Sequence, residues 1–140
     1  MRASVEFAHG VLYGDYSGVV FYGEPNKGYW TDRLDVSDRF IDPLFRAVLD
    51  RAWAESGGEL VPRLASDWNT LEGWAGCAIG VTEVAGRDAE DLMAAFGEVT
   101  AADLDPHVAG ASVEDCLRCA GVIREFVRER LARGRLFIDD

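Results

Sequence analysis

Two cysteines three residues apart, in the stretch EDCLRCAG at residues 114–121, are the most chemistry-like feature of this chain. A Cys-x-x-Cys pair can chelate a metal, cycle as a dithiol, or set two small apolar side chains on one helix face. A third cysteine, Cys77, and two histidines, His9 and His107, complete the stock of soft ligands and nucleophiles. Cys77, His107, Cys116 and Cys119 would make a permitted Cys3His zinc set if the fold brought them together. Zinc ribbons use two paired knuckles, however, and this chain has a single Cys-x-x-Cys. A thioredoxin-like site needs an accessible, acidified thiol where a helix begins. Cys116 instead lies beyond the helix start, beside Glu114 and Asp115, whose charges oppose a thiolate. Cys116, Cys119, Ile123, Phe126 and Val127 recur with the helical period as one apolar stripe, so the pair reads as core cysteines. Whether the four possible ligands converge on a metal depends on the fold, and no cofactor is expected.

Catalytic bases are scarce. His9 shares the alternating face of Phe7 and Val11 and reads as a sheet histidine, while His107 follows the Asp105-Pro106 turn and is expected to be exposed. Cys77 can be paired on paper with either histidine, but no nucleophile-elbow pattern accompanies it. Carboxylates are so numerous that any one acid–base pair is uninformative. The glycines of GWAGCAIG fit neither the dinucleotide nor the Walker spacing. These residues lean away from an enzyme, and none is singled out as catalytic.

The elements that would position these residues follow from periodicity and punctuation. Val5, Phe7, Val11 and Tyr13 alternate; VVFYG follows a Gly-Asp-Tyr-Ser-Gly turn, and YWTDRLDV follows Glu24-Pro25-Asn26-Lys27-Gly28. These predict an antiparallel meander. Asp42-Pro43 fits a helix start, after which Phe45, Val48, Leu49, Ala52 and Trp53 recur at helical spacing until Gly57-Gly58. ELVPRL reads as a Pro-interrupted edge strand and WAGCAIGVTEV as a further strand. DAEDLMAAFG predicts a short helix capped by Asp88 and stopped at Gly97, followed by an irregular stretch over 98–111. The last helix is bounded by Ser112 and Gly134, with RLFI as a closing strand. The expected fold class is α+β, a single domain over residues 1–140: a two-layer sandwich, N-terminal antiparallel β-meander with about three helices on one face of a mixed sheet.

Charge is distributed unevenly. Of a net −11, residues 66–117 contribute −10, from eleven acids against Arg87 alone, whereas residues 118–135 carry six arginines and two glutamates. Such a surface repels nucleic acid and anionic lipid and attracts a basic protein. An aromatic anchor ringed by acids gives a docking site both affinity and rate. On that argument Trp68, Glu72 and Trp74, with Asp88, Glu90, Asp91, Asp103 and Asp105, are expected to bind a basic partner. The functional expectation is a non-enzymatic inhibitor or immunity-type protein that neutralises a nucleic-acid-processing enzyme. The alternative is a small-molecule-binding or enzymatic domain with a pocket between sheet and helices. Direct binding to nucleic acid or membrane is not expected, and oligomeric state is open. Three cysteines are too odd a number for a disulfide framework, and MRASVEFAHGVLYG has no continuous apolar core for a secretory signal. The expected compartment is the cytoplasm.

Overall fold

A computed structural model describes residues 18–22, 25–26, 29–30, 33–69 and 82–139. Helices dominate these residues, which overturns the expected α+β sandwich built on a meander and a mixed sheet. Among the described residues the strands are short: β1 Gly18–Tyr22, β2 Pro25–Asn26, β3 Tyr29–Trp30, β4 Arg33–Ser37, β5 Thr82–Val84 and β6 Leu136–Asp139. Four of them form one small sheet in the order β4-β1-β6-β5, and every pairing in it is antiparallel, so the sheet is not mixed. The β1–β4 register (Gly18 opposite Ser37) and the β2–β3 register (Asn26 opposite Tyr29) are those of one hairpin. The expected first strand over 5–13, with His9, lies outside the described residues.

Helix α1, Asp38–Ser56, is the central element. It begins before the Asp42-Pro43 pair that marks a start in the sequence. Ser37 is the cap, its hydroxyl accepting from the Arg39 amide at 3.2 Å, and Asp38 places an acid in the first turn. Pro43 therefore sits inside the helix, where it cannot donate to the carbonyl one turn back. That loss is outweighed by full burial of its neighbours Ile41, Leu44 and Phe45. Gly57, with φ +65°, takes the left-handed conformation that ends the helix.

The other helices pack around α1. Helix α2 is Arg63–Trp68, α3 is Gly86–Glu98, α4 is Ala101–Leu104 and α5 is Val113–Arg133. Each of the four touches α1, and α3 also lies along α5. α2 replaces the expected edge strand: Leu64, Ala65 and Trp68 share a helical face, and Pro62 serves as the residue before the first turn. α3 starts at Gly86 without a side-chain cap, so Asp88 lies in its first turn, and it runs through Gly97 to Glu98. α5 starts where expected, with the Ser112 hydroxyl accepting from the Asp115 amide at 3.0 Å.

The core lies between α1, α3, α5 and the sheet. Phe45 is its junction: it stacks on Trp68 at 4.9 Å between centroids and meets Phe96 edge-on at 5.6 Å. One aromatic ring thus ties α1 to α2 and α3. Trp53, expected in the same stripe, is instead 63% exposed. Each residue turns the helix by about 100°, so Trp53 falls one step beyond Ala52, on a flank that no described helix covers.

Phe45→Ala should destabilise the fold by about 3–5 kcal/mol, whereas Trp53→Ala should cost under about 1 kcal/mol. Urea unfolding of both variants checks this contrast, and equal losses would contradict the placement of the two rings.

Candidate partner-docking surface

The residues expected from the sequence to form a docking set occupy several different environments. Trp68, the last residue of α2, is half-buried against Phe45, and the Arg46 guanidinium lies 5.9 Å from its ring. It packs as a lid on the core. Glu72 and Trp74 lie outside the described residues, as does Cys77. Asp88 is within 4.0 Å of Arg63, which is equally far from Asp67. Glu90 and Asp91 are exposed on α3, and Asp105 is exposed just past α4.

Asp103 is the most engaged of the set. Its Oδ2 accepts from the Thr100 amide at 2.9 Å and the Thr100 hydroxyl at 2.9 Å, while the Thr100 hydroxyl accepts from the Asp103 amide at 3.2 Å. This capping box creates a helix in a stretch expected to be irregular. Arg51 donates to the same carboxylate at 3.0 Å. The Thr100 backbone bond, opposed in part by burial and reinforced by the Thr100 hydroxyl and Arg51, lowers the Asp103 pKa below its ordinary 3.8. Arg51 is held charged chiefly by its bond to Asp103, with Glu55 and Glu98 adding to the field. Beside this group His107 Nε2 lies 2.6 Å from Asp50 Oδ2, and the histidine is half-buried rather than exposed.

An aromatic feature absent from the expected set stands next to these acids. Trp53 is on the C-terminal half of α1, one turn after the exposed Asp50, while Glu55, also exposed, projects from the other side of the helix to pair with Arg51. Its ring edge covers the turn that follows: a Cβ on Gly58, itself at φ +97°, would come within 3.0 Å of it. Leu60, two residues further on, is 74% exposed. Asp50 and Glu55, with Glu98 and Asp103 of the neighbouring elements, outnumber the two bases Arg51 and His107. The result is an exposed indole at the edge of a net-negative corner. The sequence signal for it is Asp50 three residues before Trp53 on one helix face, obscured because the indole also fits the apolar period.

The cysteines are fully buried on α5. Desolvation, with Asp115 adding to it, pushes the Cys116 thiol up to about 11. Burial, and then Cys116 itself, raises Cys119 further. Neither is a thiolate at neutral pH, and both pack against Ile123 and the rest of the core. His107 faces Asp50, and among the described residues no three His, Cys, Asp or Glu side chains converge as a metal-binding group.

No protein-family model, no curated protein and no solved structure matches this chain. Among the described residues no helix is long and apolar enough to cross a membrane.

Asp103→Ala should destabilise the protein by about 1–2 kcal/mol at pH 7 through loss of the cap and of the Arg51 bond. A carboxylate with a lowered folded pKa stabilises above its unfolded value and loses that contribution as pH falls through the folded value. The difference between wild type and variant should therefore be complete at neutral pH and shrink as pH drops below 3.8. Denaturant unfolding at several pH values measures it.

Proposed function

We propose that this protein is a non-enzymatic, cytoplasmic binding module that docks a basic protein through its acidic surface. The fitting class is an inhibitor or immunity-type protein that occupies, with carboxylates, the phosphate positions of a nucleic-acid-processing enzyme. The observation that supports it most directly is the exposed indole of Trp53 one helical turn from the exposed carboxylate of Asp50. Large aromatics are uncommon on free surfaces and are concentrated at the centres of protein interfaces, where burial against a partner supplies the affinity. The surrounding negative charge steers a basic partner and excludes acidic ones. Asp91 and Asp105, exposed and without an ion pair among the described residues, extend the field. Asp88 and Asp103 contribute charge, Asp103 while also capping α4 and binding Arg51. Trp68 acts in this reading by fixing α2, and Glu72 and Trp74 remain part of the proposed docking set on the strength of their sequence. The fully buried, protonated thiols fit a reducing compartment.

The full chain, tagged and used as bait in an extract of its source cells, should retain a basic protein at about 50 mM salt and lose most of it at about 500 mM. Against that purified partner, Trp53→Ala should weaken affinity about tenfold or more. The triple reversal Glu55→Lys, Asp91→Lys, Asp105→Lys should slow association about tenfold and flatten its salt dependence. Retention of no basic protein, or binding unchanged by both sets of substitutions, would overturn the proposal.

A further inference from the structure

One exposed ridge of α5, running along the groove between α5 and α3, has an internal symmetry of charge. Glu114, Leu117, Gly121, Arg124 and Arg128 follow one another at alternating spacings of three and four, the repeat of a helix–helix seam. All five are exposed, on a flank of α5 away from the core stripe of Cys116, Cys119 and Ile123 and bordering α3. The ridge is acidic at its start, glycine at its middle and basic at its end.

Gly121 is unexplained by the described part of the protomer. Glycine is the poorest helix former after proline, and a Cβ there would meet nothing within 4 Å. No described neighbour requires that the side chain be missing. Leu117, beside it, is among the few large apolar side chains left exposed. The ridge also borders an open groove of about 720 Å³ between α3 and α5, lined by Met93, Val127 and Leu131. Arg124 leans across α3, its guanidinium 2.9 Å from where a Cβ on Gly97 would stand. Glu114 and Arg128, by contrast, make no ion pair among the described residues.

We infer that this face binds a second copy of the chain, with the two α5 helices antiparallel about a two-fold axis at Gly121. Glu114 and Arg128 stand equally far along α5 on either side of Gly121. An antiparallel partner therefore sets Glu114 opposite Arg128 of the other copy, and the two-fold makes that pair twice. Paired glycines on the axis let the backbones approach, and Leu117 covers the aliphatic stem of the opposing Arg124. A ridge that is its own complement fits an identical chain better than a uniformly acidic or basic one. This surface is separate from the Trp53 corner on α1, so either assignment stands without the other.

Sedimentation equilibrium of the full chain between about 1 µM and about 1 mM should show a monomer–dimer equilibrium. Glu114→Arg and Arg128→Glu should each raise the dimer dissociation constant about tenfold, because each sets like charges opposite one another twice. Mixing the two variants should form heterodimer, since both cross-helix pairs then join an arginine of one copy to a glutamate of the other. The double variant, with the two charges exchanged within one chain, should dimerise as wild type does. Gly121→Trp should abolish association while leaving the helical circular dichroism intact. A monomer at all concentrations, or a dimer indifferent to these substitutions, would overturn the inference; folded single variants that fail to pair on mixing would do the same.

Discussion

Burial of Phe45 is the constraint on which the rest of the structure depends. A single ring, fully enclosed, contacts Trp68 on one side and Phe96 on another. It therefore sets the position of α2 and α3 relative to α1. Aromatic burial of this kind contributes more than any surface pair of charges, so the helices are placed by packing and the acids ride on them. The same placement divides the roles of two tryptophans. Trp68 is drawn inward by Phe45, whereas Trp53, on the uncovered flank of α1, is left exposed.

Charge is organised on two scales. Locally, carboxylates hold structure: Asp103 starts α4 and binds Arg51, and Glu83 makes a bidentate pair with Arg135 at 2.8 and 2.9 Å across β5 and β6. These bonds lower the pKa of both acids. Over the whole chain, the excess of acids leaves Glu90, Asp91 and Asp105 exposed to solvent, while the basic end of α5 makes a ridge of mixed sign. A chain of net charge −11 is in that sense not uniformly acidic.

What is legible in the sequence is set by how much of the signal is local. α5 can be read, with its Ser112 cap, because a long amphipathic period between a cap and a glycine has no competing interpretation. The same period places its cysteines in the core, where the structure holds them. α4 escapes such a reading because four residues are too few for a period, although Thr100-x-x-Asp103 is a capping box in plain view. α2 escapes it because Pro62 looks like a break in a strand when it precedes a helix. The fold class fails for a larger reason: alternation in the N-terminal third suggests a whole layer, whereas the described strands are short and the helices make most of the core. Trp53 cannot be assigned from period alone. A residue one step off the buried stripe is decided by which neighbouring helix arrives there, and no described helix does. Of the residues in the proposed docking set, the sequence shows the acids, but which tryptophan is exposed beside them depends on the packing around Phe45.

The division between the two tryptophans is open to direct measurement. With 5-fluorotryptophan incorporated throughout and resonances assigned by single Trp→Phe substitutions, the fluorine shift between H2O and D2O reports the solvent contact of each ring. Trp53 should show a shift close to that of the free amino acid, and Trp68, stacked on Phe45, a clearly smaller one. A protected Trp53, or a Trp68 as exposed as Trp53, would contradict both the packing around Phe45 and the docking surface built on it.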